Sequence, residues 1–132
     1  MGAWGVGTFE NDDAGDWVYQ LEEADDAGLV QDTLLAAAEP EGYLDAPTSA
    51  VALAAAEVVA ALSGQAAPDL PEEVRAWVGA HRTARTPDLR VLAVRAIDQV
   101  AADSELKDLW AESDDAGAWT DRLQELRGRL AP

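Results

Sequence analysis

The chain has 132 residues, a formal net charge of −17 at pH 7 and no cysteine. This length predicts one domain over residues 1–132, long enough to bury a hydrophobic core. The lack of cysteine excludes disulfides and thiolate metal sites, and a single histidine leaves zinc too few ligands.

The charge is distributed unevenly along the chain. Residues 1–74 contain sixteen acidic residues and no Lys or Arg, whereas residues 75–132 contain ten acidic and nine basic residues. A surface like the first half repels nucleic acid and anionic membranes, and attracts a basic protein surface or cations. We therefore expect no nucleic-acid and no membrane partner. The charge can also serve solubility alone.

Composition also indicates where the protein works. The segment Met1–Gly5 has neither the basic nor the apolar part of a secretory signal. The longest apolar-rich run, from Ala50 to Leu62, contains Glu57 and is too short to span a bilayer. These features, with the absence of cysteine, predict a cytoplasmic protein. One Lys against eight Arg, with abundant Ala, Asp and Gly, is typical of GC-rich bacteria.

The first predicted elements are a loop and a helix. Trp4 and Phe9, among several glycines, predict an ordered loop whose rings pack on the helices. A helix then follows from about Asn11 to Ala24. Asn11 is a good N-cap, and acidic residues in the first turn suit the helix dipole. The apolar residues of this segment lie on one helical face: Ala14, Trp17, Leu21 and Ala24.

The middle of the chain predicts two more helices. One covers about Leu29 to Ala38 and stops before Pro40. The next begins at Thr48 or Ser49 and runs to about Leu62, before Gly64. It is apolar nearly all round, so we expect it to be the central helix.

The last third predicts three or four short helices. Their expected bounds are Pro71 to about Arg82, a helix opened by Thr86, a short one from Ser104 to Ala111, and a last one capped by Ser113. No segment shows the alternation of a β-strand with hairpin turns. The sequence therefore predicts an all-α fold, a compact bundle of about six or seven short helices with an ordered Gly/Trp-rich N-terminal loop.

One motif occurs twice. Residues 10–23 and 112–125 both follow the pattern E-[NS]-D-D-A-G-x-W-x-x-x-L-x-E. The two copies start 102 residues apart, so they do not form a solenoid array. Either duplication or convergence on the same helix-capping residues accounts for the pattern, and it leaves open whether the two helices touch.

The N-terminal sequence resembles that of a known family. Residues 1–17 read MGAWGVGTFENDDAGDW, and this resembles the opening M-G-x-W-G-x-G-x-F-x-N-D-x-A-x-D-W of a small bacterial family of unknown function. The resemblance continues through residues 43–47, 54–57, 104–110 and 126–130, so it covers essentially the whole chain. It implies a stand-alone domain, and it brings no activity or catalytic residues with it. Gly15 departs from the larger residue expected in relatives, so a packing role for it is doubtful.

Two ligand sites can be tested against the first segment. Gly5-Val6-Gly7-Thr8-Phe9-Glu10 contains two of the three glycines of a dinucleotide loop, but no strand precedes it and neighbouring acids would repel phosphate. We expect no cofactor. Oxygen ligands suited to calcium, magnesium or manganese lie close together, although not with EF-hand spacing: Glu10, Asp12, Asp13 and Asp16. Complementing the helix dipole is the alternative role of these acids.

Glu57 lies in the most apolar segment, where an unpaired carboxylate is costly to bury. We expect it to pair with Arg90, with Arg95 or with backbone amides of the N-terminal loop. If it had no partner, it would become a general-acid candidate. The five tryptophans could line a ligand pocket, but at helical spacing they are more typical of a core.

The sequence is compatible with three functions. The first is a module that binds a basic protein partner, either neutralising a basic toxin or regulating a nucleic-acid-binding protein. The second is a domain that binds a divalent cation through Glu10, Asp12, Asp13 and Asp16. The third is an enzyme that uses Glu57 as acid or base. The first two functions require no catalytic residue, and none is predicted for them.

Overall fold

The computed structural model describes residues 7–81 and 86–131. In this part of the chain there are seven helices and no strand, which confirms the predicted all-α bundle. The helices are α1 (Asp12–Glu22), α2 (Gly28–Ala38), α3 (Ala46–Leu62), α4 (Glu72–Ala80), α5 (Thr86–Ala102), α6 (Glu105–Ala111) and α7 (Ala116–Leu130). None of the described helices is long and apolar enough to cross a membrane.

Helix α3 is the centre of the bundle, as predicted. It packs against each of the other six helices, most extensively against α2 and α5. Every residue from 52 to 60 is buried. Many of these residues are alanines, and their small side chains let neighbouring helices approach closely from all sides. Leucine, valine and tryptophan side chains of the outer helices fill the remaining space.

The start of α3 differs from the prediction. It begins at Ala46 rather than at Thr48 or Ser49, because the Asp45 carboxylate caps it by accepting a 2.8 Å hydrogen bond from Thr48 N. Pro47 fits the first turn, where its missing N–H has no helical partner. The predicted end is confirmed: Gly64 has a φ of +87°, and Gln65 N donates to Ala60 O at 2.8 Å.

Most other helix starts agree with the prediction within one or two residues. Asn11 caps α1 by accepting from Ala14 N at 2.8 Å. Ser104 caps α6 in the same way, through Lys107 N. Helix α4 follows Pro71 but ends at Ala80, slightly earlier than predicted, with His81 as its C-cap.

The predicted cap of α7 is wrong. Ser113 Oγ accepts from Asp115 N, which closes a tight turn, and α7 starts only at Ala116. The two copies of the repeated motif therefore enter their helices at different points. They also have different neighbours, since α1 packs on α3 and α4 whereas α7 packs on α3, α5 and α6.

The described tryptophans belong to the core, as expected. Trp17 Nε1 donates to Thr33 Oγ1, and Trp77 Nε1 donates to Ala24 O, both at 3.0 Å. Trp110 and Trp119 stack with their ring centroids 6.5 Å apart. Phe9 packs against the core, and Trp4 lies outside the described residues.

Candidate functional site

Glu57 is the one acidic side chain that the described core buries completely, at 0% exposure. Its two carboxylate oxygens accept hydrogen bonds from Arg129 at 2.9 and 3.0 Å, the parallel geometry that makes arginine–carboxylate pairs strong. Arg122 Nη2 lies 3.8 Å from Glu57 Oε2. The Thr8 hydroxyl donates to the same oxygen at 3.2 Å.

This arrangement corrects the predicted partners of Glu57. Arg90 instead donates to Leu130 O and Ala131 O at the end of α7, and Arg95 pairs with Glu39 on the surface. From the described part of the loop, the Thr8 hydroxyl donates to Glu57, while residues 1–6 lie outside the described residues. The spacing of Arg122, Glu125 and Arg129 places them on one face of a helix, but it does not identify Glu57 as their partner.

The network binds both carboxylate oxygens of Glu57. Burial opposes the charge of Arg129, yet the hydrogen bonds that it donates to Glu57 and Glu125 raise its pKa above the usual arginine value. The Glu57 side chain is fully buried, so its carboxylate does not reach the surface. With no exposed atom and three partners, it has the contacts of a structural pair rather than of a general acid.

The carboxylates proposed as cation ligands lie around the start of α1. Glu10 Oε1 accepts a hydrogen bond from Gly7 N at 3.0 Å, while Asp12, Asp13 and Asp16 are exposed and have no partner among the described residues. In residues 7–81 and 86–131, no three acidic or histidine side chains converge as a metal site. Exposed carboxylates can rearrange around an ion, so ligation by these four residues stays a prediction. The segment that the sequence analysis rejected as a dinucleotide loop includes Gly5 and Val6, which lie outside the described residues.

The basic side chains of the described chain are engaged internally. Arg75 donates to three backbone carbonyls of the loop before α4, and Lys107 donates to Ala102 O. Arg127 pairs with Asp98, and Arg122 pairs with Asp69. Together with Arg90, Arg95 and Arg129, these contacts account for every Lys and Arg in residues 7–81 and 86–131.

Many carboxylates, by contrast, have no partner in the described part of the chain. In α1, at its C-cap and in α4 these are Asp12, Asp13, Asp16, Glu22, Glu23, Glu72 and Glu73, and all of them are exposed. The outcome is a strongly negative face built from the first half of the sequence. We call these seven residues, with the two helices that carry them, the α1–α4 face.

The α1–α4 face contains two pockets that share Glu22 and Glu73 in their lining, and we call the two together the groove. The first part has a volume of about 200 Å³ and apolar walls from Phe9, Val18, Tyr19 and Pro71. The second, of about 510 Å³, extends along α4 to His81. The Glu22 and Glu73 side chains border both parts, so carboxylates lie at the middle of the groove.

His81 closes the far end of this groove. Its ring stacks on Trp77 with the centroids 4.1 Å apart. Its nitrogens face two carbonyl oxygens, Nδ1 at 2.7 Å from Trp77 O and Nε2 at 3.1 Å from Asp25 O. These contacts fix His81 as a wall of the groove and tie α4 to the segment after α1.

Comparison with known proteins identifies the family. A family model described as Domain of unknown function (DUF4259) matches residues 2–122. The chain belongs to this family. The family match includes Thr8, Glu57 and Arg122 of the buried network, and it ends before Glu125 and Arg129. No curated protein and no solved structure matches the chain. The expected membership in a family of unknown function is thus confirmed, while the N-terminal motif and the bacterial source of that family stay predictions.

Proposed function

We propose that this protein is a non-catalytic binding module that engages a basic protein partner through the α1–α4 face. The observation that carries the proposal is the asymmetry of pairing. The described Lys and Arg side chains are engaged within the molecule, whereas the carboxylates of α1 and α4 are exposed and free of ion pairs in the described chain. The net negative charge is therefore available to an incoming molecule.

Electrostatics gives such a module its mechanism. A field of one sign raises the association rate with an oppositely charged partner by roughly 10 to 10³. The attraction is screened over about 10 Å at 0.1 M salt and about 3 Å at 1 M. Neutralisation of a basic toxin and occupation of the basic face of a nucleic-acid-binding protein both fit this chemistry. Repulsion of nucleic acid itself makes nucleic acid an unsuitable ligand.

The two other functions have less support. No contact in the described chain favours a cation at Glu10, Asp12, Asp13 and Asp16, so a cation-binding domain stays an alternative that the response of the melting temperature to divalent ions tests. Catalysis by Glu57 is not proposed, because its carboxylate is buried and bound by Arg129.

The proposal is tested by capture from bacterial lysate with the wild-type protein and with the triple variant Asp12→Asn/Asp13→Asn/Asp16→Asn. We expect the captured proteins to be rich in Lys and Arg, and their recovery to fall several-fold in the variant and at about 0.5 M salt. The matched control is Asp114→Asn/Asp115→Asn/Asp121→Asn, which removes the same charge from exposed positions near the start of α7.

The association rate of the purified partner is then measured against ionic strength. If the α1–α4 face steers the partner, the association rate should fall steeply with salt for the wild type and for the control variant in and before α7. The fall should be shallower for the triple variant in α1. Captured proteins that are no more basic than the lysate as a whole, or rates that do not depend on salt, would overturn the proposal.

A further inference from the structure

We propose that the groove between α1 and α4 is the docking site for an amphipathic helix of the basic partner. The helix would place apolar side chains against Val18 and Tyr19 and a Lys or Arg between Glu22 and Glu73. This inference rests on the proposed function, because it names the segment of the partner that the α1–α4 face recognises.

The apolar part of the groove is the first observation. Tyr19 is 69% exposed although it is a large aromatic side chain. Val18 and Phe9 line the same pocket, are half-buried and pack against the core. An exposed aromatic ring beside other apolar side chains offers a contact surface of the kind that protein interfaces use, because aromatic residues are enriched there.

The second observation is charge complementarity at the same place. Glu22 and Glu73 border both parts of the groove, and Glu72 borders the part along α4. None of the three has an ion-pair partner in the described chain. A basic side chain entering between them gains two or three carboxylates at once. A second copy of this chain, which carries a net charge of −17, would be repelled instead.

The third observation is the shape of the groove. Gly15 lies on its α1 wall, and a Cβ added there would meet no atom within 4 Å. The absence of a side chain at Gly15 therefore leaves the groove open. From Gly15 to Glu22 the α1 wall measures about 10 Å, two turns of a helix. That length matches the anchors at i, i+3 or i+4, and i+7 of a helix lying in a groove.

Gly15 also provides a variant that blocks the groove without changing charge. Gly15→Leu places a branched side chain in the opening, and it should not lower the melting temperature because leucine favours helix more than glycine does. Gly117→Leu is the matched control. Gly117 occupies the same position in the second copy of the repeated motif, in α7, and also has open space around it.

The probe is a synthetic amphipathic helical peptide of about 18 Leu and Lys residues, a length at which an isolated helix can form. A peptide of the same composition in scrambled order removes the apolar face and keeps the charge. Binding is measured by fluorescence anisotropy at low salt. We expect the wild type to bind the amphipathic peptide about tenfold more tightly than the scrambled one. Gly15→Leu should abolish this preference, and Gly117→Leu should keep it.

A variant that keeps the side-chain shapes separates the contribution of the carboxylates to binding from that of the apolar walls. Glu22→Gln/Glu73→Gln should weaken binding of the amphipathic peptide several-fold more than the scrambled one, because it removes the charges at the middle of the groove only. Circular dichroism of each variant verifies that the helical fold is intact.

The outcomes distinguish the two proposals. Equal binding of both peptides, or unchanged binding by Gly15→Leu, overturns the groove while leaving the salt-dependent binding of a basic partner in place. If neither peptide binds at low salt, then both the groove and the proposed function are wrong.

Discussion

Arg129 is the residue on which the buried carboxylate depends. It is 14% exposed, donates two hydrogen bonds to Glu57, and also bonds to Glu125 and to Gln65 O. Removing one partner of a buried pair leaves an uncompensated charge, whereas replacing both partners by apolar residues is often tolerated. The cost of losing Arg129 therefore comes mainly from what happens to Glu57.

We predict that Arg129→Leu lowers the free energy of unfolding by about 3–5 kcal/mol, as expected for a broken buried ion pair. Arg127→Leu, in the same helix, should cost less than about 1 kcal/mol because its pair with Asp98 is exposed. The double variant Glu57→Leu/Arg129→Leu should recover much of the loss. Urea denaturation measures all three, and equal effects of Arg129→Leu and Arg127→Leu would contradict a dependence of Glu57 on Arg129.

At the scale of single elements, the start of α3 couples a helix cap to pH. Hydrogen bonds from the side chain and the backbone N–H of Thr48 hold the pKa of Asp45 below its ordinary value. A carboxyl whose pKa is lower in the folded state stabilises the fold above its unfolded pKa of about 4. That contribution is lost as the pH falls through the folded pKa.

The variant Asp45→Asn tests this coupling. Asparagine caps a helix as well as aspartate does, but it does not titrate. We therefore expect the variant to have nearly the wild-type free energy of unfolding at pH 7 and to lose less of it between about pH 5 and pH 2. Denaturant melts across this range provide the measurement. Two parallel pH profiles would show that the cap does not contribute to acid sensitivity.

The helices that sequence patterns predicted well are those whose signals are local. The caps of α1 and α6 each need only a polar side chain three residues before the N–H that donates to it. The sequence therefore identified Asn11 as a cap and placed the start of α6 at Ser104. The start of α3 was missed because Thr48 and Ser49 are also good cap residues. It lies earlier because Asp45 caps it and Glu105, far along the chain, accepts from Ala46 N at 2.7 Å.

The repeated motif shows where sequence similarity is a poor guide. Asn11 and Ser113 occupy the same position in the two copies, yet only Asn11 reaches the N–H three residues ahead. Asn11 is also held by its hydrogen bond to Thr8 O, part of the segment fixed on Glu57. The partners of Glu57 were missed for a related reason, since 72 residues separate it from Arg129 and no local pattern spans that distance.

The net negative charge acts over the whole molecule as an electrostatic field rather than at one site. Like charges repel in the folded state, so added salt should stabilise the protein regardless of the identity of the ion. A bound divalent cation would add a specific contribution that depends on its concentration. At equal ionic strength, screening is the same for every ion, whereas specific binding differs from one ion to another.

We expect the melting temperature to rise equally with sodium, calcium, magnesium and manganese chlorides at matched ionic strength, because the acids act as a field. A larger rise with one divalent ion, removed by chelator and by Asp12→Asn/Asp16→Asn, would contradict this expectation. It would instead support the cation site at Glu10, Asp12, Asp13 and Asp16.

The pairing of Glu57 with Arg129 has a consequence for biosynthesis. A ribosome adds about 5–20 residues per second, so the 72 residues between the two positions take about 4–14 s to make. During that interval α3 has emerged, but the guanidinium that lets it bury its carboxylate does not yet exist. We therefore expect the bundle to close only after α7 has been made. We expect a chain that terminates before Arg129 to leave Glu57 without its two hydrogen bonds from Arg129 and to be a target for proteolysis.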